Sequence, residues 1–253
     1  MLGSGLIEEI RSIALRAGSA ILEVYAQDFA VERKADASPV TRADQLAEAI
    51  IIEALHRITP EIPVVAEELA AAGGLPAAAA ARFWLVDPLD GTKEFIARNG
   101  EFTVNIALVE ERRPVLGVVH APALDVTYWA ADGCAFRRRG SDAAKPISAR
   151  TVPDRGATVL HSRSHVDEAQ LAAYVAALPE AERRISGSSI KFCLLACGEA
   201  DLYPRFGRTM EWDTAAGQAV LEAAGGAVET RDGRPLAYGK PGFANPDFIA
   251  RGR

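Results

Sequence analysis

Apolar residues recur every three or four positions in the first part of the chain. This spacing predicts one amphipathic helix across residues 6–24 and a second across residues 41–58. Thr41 and Asp44, at the start of the second segment, have the spacing of a capping box. A short apolar run at 62–66 predicts a strand that ends just before a pair of glutamates.

The pattern changes after about residue 102. Short β-rich runs separated by turn residues predict an antiparallel meander as far as residue 139. Strand-like and helix-like segments alternate in the rest of the chain, where TVLHS and DLYPRF predict strands and DEAQLAAYVAAL, SIKFCLLACGEA and TAAGQAVLEAAGG predict helices. We therefore predict an α/β (α+β) protein with an N-terminal α+β domain at 1–145 and a C-terminal α/β domain at 146–253.

Composition narrows the class of protein. With 49% apolar and 25% charged residues in 253, the chain has the balance of a globular enzyme, and its net charge of −6 argues against a nucleic-acid polymer as partner. No apolar run approaches the roughly 18 residues of a membrane span, and the N-terminal segment does not resemble a signal peptide. We expect a cytoplasmic protein, with peripheral association with the inner membrane left open. Cys193 and Cys197 are predicted to be buried thiols.

Five acidic residues stand out, and each has an ordinary local explanation. In WLVDPLDGTKEF, Asp87 and Asp90 fit a turn as well as a metal site. Glu67 fits a solvated charge, and Asp213 fits the N-cap of the following helix. Asp44 fits the capping box.

The joint pattern favours a metal site. Glu67, Asp87 and Asp90 each follow a strand-like run, and ligands in α/β proteins gather at the carboxyl ends of strands. Converging carboxylates repel one another unless cations neutralise them, and an all-oxygen set suits Mg²⁺. The backbone N–H groups of Gly91 and Thr92 could then receive a phosphate. The sequence therefore predicts metal-assisted phosphate chemistry.

Four motifs resemble signatures of the inositol monophosphatase superfamily. In chain order they are PVTRAD (39–44), EE (67–68), DPLDGT (87–92) and WDTAAG (212–217). The resemblance implies a layered αβαβα sandwich of the type shared with fructose-1,6-bisphosphatase. It also implies Mg²⁺ as cofactor, two or three ions per site, and inhibition by Li⁺.

Further segments are similar to the bacterial 3′(2′),5′-bisphosphate nucleotidases of the CysQ type. These segments are KE (93–94), SRSH (162–165), GSSIKFCLLACGEADLYPRFG (187–207) and FANPDFIA (243–250). The implied reaction is hydrolysis of adenosine 3′,5′-bisphosphate, a by-product of sulfate assimilation, to AMP and phosphate. Two alternatives stay open: an inositol-1-monophosphatase or broad-specificity sugar phosphatase, and a non-catalytic metal- or nucleotide-binding protein.

The resemblance also implies a role for individual residues. The implied metal ligands are Glu67, Asp87, the carbonyl of Leu89, Asp90 and Asp213. Thr92 and Asp44, with Glu67, would activate the attacking water. The implied substrate contacts are Leu89, Asp90, Gly91, Thr92, His165, Ser188, Lys191, Arg205 and Asp213. The role of Lys93 is left open, and two departures from the family pattern, Ala66 and Gln218, bear on fine specificity.

Overall fold

The structure, a computed structural model, describes residues 4–33, 39–76, 79–163 and 167–253. Within these ranges the chain forms seven α-helices and three short 3-10 helices. The α-helices are α1 (Ser4–Tyr25), α2 (Arg42–Ile58), α3 (Glu67–Ala71), α4 (Thr92–Ile96), α5 (Glu168–Ala176), α6 (Ile190–Ala196) and α7 (Ala215–Ala223). The 3-10 helices are Pro122–Leu124, Glu211–Asp213 and Pro241–Phe243.

The strands of the same ranges form two large sheets and two short ribbons. The strands are β1 (Val31–Arg33), β2 (Pro39–Thr41), β3 (Val64–Ala66), β4 (Arg82–Asp90), β5 (Thr103–Glu110), β6 (Arg113–Ala121), β7 (Val126–Ala131), β8 (Cys134–Arg139), β9 (Lys145–Pro146), β10 (Thr158–His161), β11 (Glu182–Ile185), β12 (Leu202–Arg205), β13 (Thr209–Met210), β14 (Ala227–Thr230), β15 (Ala244–Asn245) and β16 (Phe248–Arg251). The first sheet has the order β3-β4-β5-β6-β7-β8-β9, and the second has the order β11-β10-β12-β16-β14. The ribbons are β1-β2 and β13-β15.

Helices and sheets alternate in five layers. Helices α1 and α2 cover one face of the first sheet, where Trp84 is completely buried. Helices α6 and α7 lie between the sheets, and Phe192 of α6 shares a core with Leu85 of the first sheet and Phe248 of the second. Helix α5 covers the outer face of the second sheet through Leu171. The predicted αβαβα sandwich is confirmed.

The sequence of strand β4 is a continuous apolar run because both faces of the first sheet are covered at this strand. Its side chains alternate in direction, so that Phe83 and Leu85 enter the core shared with α6 and α7. Trp84 and Val86 enter the core beneath α1 and α2. A strand covered on both faces needs apolar residues at every position, and four of them lead directly into Asp87.

Several elements were not predicted. Strand β11 carries the sequence ERRI at the edge of the second sheet with all four residues exposed, so it has no apolar alternation to reveal it. Strands β14 and β16 also went unpredicted, although β12 pairs with β16 and β16 with β14. The local sequence of a strand does not identify the distant strand with which it pairs.

One ordinary local explanation was wrong. Asp213 is not the N-cap of α7; it ends the 3-10 helix Glu211–Asp213, and Thr214 occupies the cap position. The turn that Asp87 and Asp90 fit is present at Gly91, between the end of β4 and the start of α4. The first sheet ends at Pro146 and the second begins at Thr158, and the division at residue 145 stays a prediction.

The cysteines and the helices bear on two other predictions. Cys193 is buried as predicted, whereas Cys197 is only partly buried and Cys134 is exposed. In the part of the chain that the structure describes, none of the helices combines the length and the apolar character that a bilayer crossing requires.

Candidate active site

The end of β4 is distorted where it meets β5. Asp87 lies opposite Asn105, but the next pair is Asp90 with Thr103, so β4 has one more residue than its partner over this interval. This is a β-bulge, which bends a strand and redirects its side chains. The Asp87 carboxylate accepts a hydrogen bond from the N–H of Leu89 at 3.0 Å, which stabilises the bulge. The bulge therefore brings two aspartates to the same strand end.

Two other chain segments bring carboxylates to this point. Strand β3 runs parallel to β4, so Glu67, the first residue after β3, lies beside the end of β4. Burial raises the pKa of Asp87 well above its ordinary value, and the charges of Glu67, Asp90 and Asp213 raise that pKa further. Burial and then Asp90 and Glu67 likewise raise the pKa of Asp213. The four predicted acidic ligands therefore form one electrostatically coupled cluster.

The donor set of this cluster suits Mg²⁺ in chemistry. It consists of hard carboxylate oxygens, and the mutual repulsion of the four groups is what a divalent cation would relieve. A hydrogen-bonding contact with Glu67 is a further, smaller cause of the raised pKa of Asp87. Among the described residues no three acidic, histidine or cysteine side chains are already arranged to hold a metal ion. Because the pKa values of Asp87 and Asp213 are raised, binding a cation requires these two carboxyl groups to be deprotonated.

A threonine and an aspartate lie next to the cluster. Thr92 begins α4, and its hydroxyl lies 3.2 Å from Asp44 Oδ1 and 3.3 Å from the carbonyl oxygen of Leu89. The other oxygen of Asp44, Oδ2, accepts the N–H and the hydroxyl of Thr41, both at 2.8 Å. Asp44 is almost completely buried, and the capping box holds it in place. The predicted contact between Thr92 and Asp44 is thus present.

The backbone between β4 and α4 needs glycine. Gly91 has φ 91° and ψ 40°, in the left-handed region that other residues rarely adopt. A Cβ at this position would lie 3.1 Å from the carbonyl oxygen of Glu101 and 3.3 Å from Cβ of Ser188. Glycine here allows the chain to turn from Asp90 into Thr92 against the turn that precedes α6.

That turn, residues 186–189, binds Asp90. The hydroxyl of Ser188 donates to Asp90 Oδ2 at 2.8 Å, and the N–H of Ser189 donates to the same oxygen at 2.6 Å. Ser188 has φ 53°, an unusual value for a residue with a side chain. Glu101 supports the turn by accepting the N–H of Gly187 at 3.1 Å. Ser188, a predicted substrate contact, therefore lies at the cluster.

The two predicted basic contacts are both buried. Lys191 is 3% exposed, and its ammonium group donates to the carbonyl oxygens of Ser186 at 3.2 Å and Ser188 at 2.5 Å. Burial lowers the pKa of Lys191 to about 8, and the charge of Asp90 partly offsets this effect. Arg205, at the end of β12, is buried and donates to the carbonyl oxygen of Arg208 at 3.0 Å. His165 lies outside the described residues.

The chain is similar to known proteins over almost its whole length. A profile of the inositol monophosphatase family matches residues 5–250. The chain belongs to this family. Its relatives include the 3′(2′),5′-bisphosphate nucleotidase CysQ of Salmonella typhimurium strain LT2, 49% identical over 246 residues that cover 96% of this chain and 98% of the relative. The protein of the same name from Escherichia coli strain K12 is 48% identical over the same shares of both chains.

Solved structures of the inositol monophosphatase family have the same fold. The crystal structure of CysQ from Bacteroides thetaiotaomicron matches with a TM-score of 0.83 and 37% identity, covering 99% of this chain and 98% of that one. An inositol monophosphatase from Anabaena (Nostoc) sp. PCC 7120 matches with a TM-score of 0.77 and 26% identity, covering 98% and 90%.

Two residues at this site escaped the sequence analysis. Glu48 follows Asp44 by one helical turn, and its carboxylate accepts the N–H groups of Glu68 at 2.8 Å and Leu69 at 2.9 Å. The i, i+4 spacing from Asp44 was a signal for it. Ser189 follows the predicted Ser188, but nothing in the sequence distinguished it as a hydrogen-bond partner of Asp90.

Gln218, one of the two residues that depart from the family pattern, lies in a buried polar network. Gln218 accepts the hydroxyl of Tyr238 at 2.7 Å and donates to Glu222 at 2.8 Å and to the carbonyl oxygen of Leu236 at 3.1 Å. Gln218 thereby links α7 to the segment around Tyr238.

Proposed function

We propose that this chain is a Mg²⁺-dependent 3′(2′),5′-bisphosphate nucleotidase, a phosphomonoesterase that converts adenosine 3′,5′-bisphosphate to AMP and phosphate. The observation that carries the proposal is the carboxylate cluster at the end of β4 with the hydrogen bond from Thr92 to Asp44 beside it. Its support from relatives is the name shared by the proteins that are 48–49% identical over almost the whole chain.

The cluster would hold the cations. The proposed ligands are Glu67, Asp87, Asp90 and Asp213, together with the carbonyl oxygen of Leu89. When bound there, Mg²⁺ supplies charge neutralisation for the phosphoryl oxygens and a lowered pKa for water. Two or three ions per site is the number that we propose. Proton loss from Asp87 and Asp213, whose pKa values are raised, would accompany binding, since metal ligands bind in the deprotonated form.

Thr92 and Asp44 would handle the proton of the attacking water. The Thr92 hydroxyl has one hydrogen, and Asp44 Oδ1 is its acceptor at 3.2 Å. The lone pairs of the Thr92 oxygen then remain to accept a hydrogen bond from water and to orient it. Asp44 cannot swing away because its second oxygen is held by Thr41. Glu67, across the cluster, would share the deprotonation of that water.

The substrate would bind through groups on both sides of the cluster. We propose that the N–H groups of Gly91 and Thr92 hold the phosphate that is cleaved. Ser188, Lys191 and Arg205 would contact the nucleotide and its second phosphate, and His165 is a further predicted contact. Lys191 would act at least partly through the backbone, because its ammonium group binds the carbonyl oxygens of the 186–189 turn.

A second candidate is hydrolysis of an inositol monophosphate. The observation that favours it is the structural match to an inositol monophosphatase, although at 26% identity this match carries less weight than the nucleotidase relatives. Lys93-Glu94 and the 187–207 segment, which resemble the nucleotidases, support the first proposal. A cytoplasmic location stays a prediction from the sequence.

Phosphate release from purified protein would test the proposal. With Mg²⁺ present, kcat/KM for adenosine 3′,5′-bisphosphate should exceed that for inositol 1-phosphate, and AMP should accumulate without further hydrolysis. AMP itself is the matched control substrate, because it carries the 5′ phosphate and lacks the 3′ phosphate. A higher kcat/KM for inositol 1-phosphate would make the second candidate correct. Removal of Mg²⁺ by a chelator should abolish turnover of any substrate.

A further inference from the structure

The Ser189 side chain contacts two segments that carry proposed metal ligands. Its hydroxyl lies 2.9 Å from Asp90 Oδ2, on the first sheet, and 2.7 Å from the backbone carbonyl oxygen of Asp213, at the end of the 3-10 helix that precedes α7. It also accepts a hydrogen bond from Asn105 Nδ2 at 3.0 Å. Ser189 is 2% exposed, so water does not compete for these contacts.

The hydrogen-bond donors around Asp90 all lie at one of its two carboxylate oxygens, Oδ2. Ser188 Oγ and the Ser189 N–H donate to Oδ2 at 2.8 and 2.6 Å, and the Ser189 hydroxyl oxygen lies 2.9 Å from it. A carboxylate oxygen has two lone pairs, so these donors saturate Oδ2. Oδ1 is therefore the oxygen that Asp90 can offer to a cation, and the carboxylate plane is fixed by the turn rather than by the cation.

The Ser189 hydroxyl has one hydrogen and two possible acceptors. Because the Ser189 N–H already binds Asp90 at 2.6 Å, the hydroxyl hydrogen is best used at the carbonyl oxygen of Asp213, which is also the nearer acceptor. Ser189 then holds Asp90 through its backbone and Asp213 through its side chain. The Asn105 amide fixes the hydroxyl by donating to it.

We infer that Ser189 is a positioning residue that sets the separation of Asp90 and Asp213 for binding of the divalent cation. The inference rests on the proposed Mg²⁺-dependent chemistry. Asp90 comes from β4 and Asp213 from the segment after β13, so no local backbone geometry sets their distance. Supporting hydrogen bonds of this kind typically change metal affinity or activity by about 10- to 100-fold when they are removed.

The test is Mg²⁺ binding to the substrate-free protein, measured by titration calorimetry, in wild type, Ser189→Ala and Ser189→Cys. Alanine removes the hydroxyl but keeps the N–H that binds Asp90. We expect Ser189→Ala to weaken Mg²⁺ affinity by about tenfold, and to raise by a similar factor the Mg²⁺ concentration that half-saturates turnover. The KM for substrate at saturating Mg²⁺ should change less. Cysteine fills the space but is a weak donor, so it should behave like alanine.

Ser186→Ala is the matched control, because Ser186 is a buried serine of the same turn without a hydroxyl contact to Asp90 or Asp213 among the described residues. Its Mg²⁺ affinity should equal that of wild type. The inference is overturned if Ser189→Ala binds Mg²⁺ within twofold of wild type, if Ser186→Ala loses affinity equally, or if Ser189→Cys restores it fully. Because binding is measured without substrate, a wrong substrate assignment would leave this result unaffected.

Discussion

At the scale of single residues, the site depends on carboxylates whose two oxygens have different partners. Asp44 uses Oδ2 to cap α2 and Oδ1 to accept the Thr92 hydroxyl. Asp90 uses Oδ2 for the 186–189 turn. In both cases the protein fixes one oxygen and so orients the other. The interpretation of Asp44 as a capping residue is confirmed. Its hydrogen bond with Thr92 is compatible with the proposed functional role, which stays a prediction.

Thr92→Val is the residue-scale prediction. Valine has nearly the shape of threonine but no hydroxyl, so Asp44 Oδ1 loses its donor and the attacking water loses its partner. We expect kcat to fall by about 100- to 10,000-fold, the usual contribution of a positioned proton acceptor, with a small change in KM. Thr92→Ser keeps the hydroxyl and should retain most of the activity. Steady-state kinetics on both variants decide the matter, and near-normal kcat in the valine variant would exclude this role.

At the scale of elements, α2 supports the site at two points along one face. Asp44 and Glu48 are four residues apart, and both are buried. The carboxylate of Glu48 accepts hydrogen bonds from the N–H groups of Glu68 and Leu69, in the first turn of α3. Each of its oxygens accepts one N–H, so the carboxylate both caps α3 and places its first residue.

Glu48→Gln should therefore weaken α3 and the cation site together. The amide NH₂ would face a backbone N–H, and one hydrogen bond to a charged acceptor would be lost. We expect a loss of about 1–3 kcal/mol in the free energy of unfolding, measured by urea denaturation, and weaker Mg²⁺ binding. Glu53→Gln, an exposed position on the same helix, is the control and should leave both unchanged. Equal stabilities of the two variants would contradict the capping role.

The contact of α1 with the first sheet depends on a missing side chain. A Cβ at Gly18 would lie 2.6 Å from Cδ2 of His120, and that ring is held by the Val126 carbonyl oxygen at 3.2 Å and Thr127 Oγ1 at 3.0 Å. Gly18→Ala should therefore destabilise the protein by about 1–3 kcal/mol. Gly5→Ala, in the same helix with nothing within 4 Å of the new Cβ, should instead be neutral or stabilise by up to about 1 kcal/mol. Thermal or urea denaturation compares the two, and equal changes in the free energy of unfolding for both variants would contradict the role of the His120 contact.

At the scale of the whole molecule, the fold brings four carboxyl groups together, and their mutual repulsion is unfavourable when they are ionised. The carboxylate cluster lies where β4 ends and where the turn before α6 and the segment before α7 meet it. Burial and mutual repulsion raise the pKa values of Asp87 and Asp213. The folded state therefore binds these protons more tightly than the unfolded state does. The stability that this provides is present at low pH and is lost as pH rises from the unfolded pKa near 4 through the raised values.

Mg²⁺ should therefore stabilise the protein more strongly at high pH than at low pH. Without Mg²⁺, the two raised carboxyl groups should lower the free energy of unfolding as pH rises, and the cation should replace their protons. We expect the increase in that free energy on adding Mg²⁺ to be larger at about pH 8 than at about pH 5, because binding requires deprotonated ligands. Urea denaturation with KCl matched for ionic strength provides the measurement and the control. An increase independent of pH would contradict the coupled cluster.

The sequence by itself determined the long helices and the meander, and it identified the acidic residues that the structure brings into one cluster, whose role as metal ligands stays a proposal. Periodicity reports burial directly in α1 and α2, and the family motifs surround Asp44, Glu67, Asp87, Asp90 and Asp213. It could not reveal β11, whose four polar residues are exposed, or the bulge that places Asp87 and Asp90 together.

Only the tertiary structure decided which groups meet. Glu48 with α3, and Ser189 with Asp90 and Asp213, are contacts between segments 20 to 99 residues apart. Local sequence records the conformation and burial of a segment, because both depend on nearby side chains. The partner of a hydroxyl or carboxylate depends instead on how sheets and helices stack, and that information is spread over the whole chain.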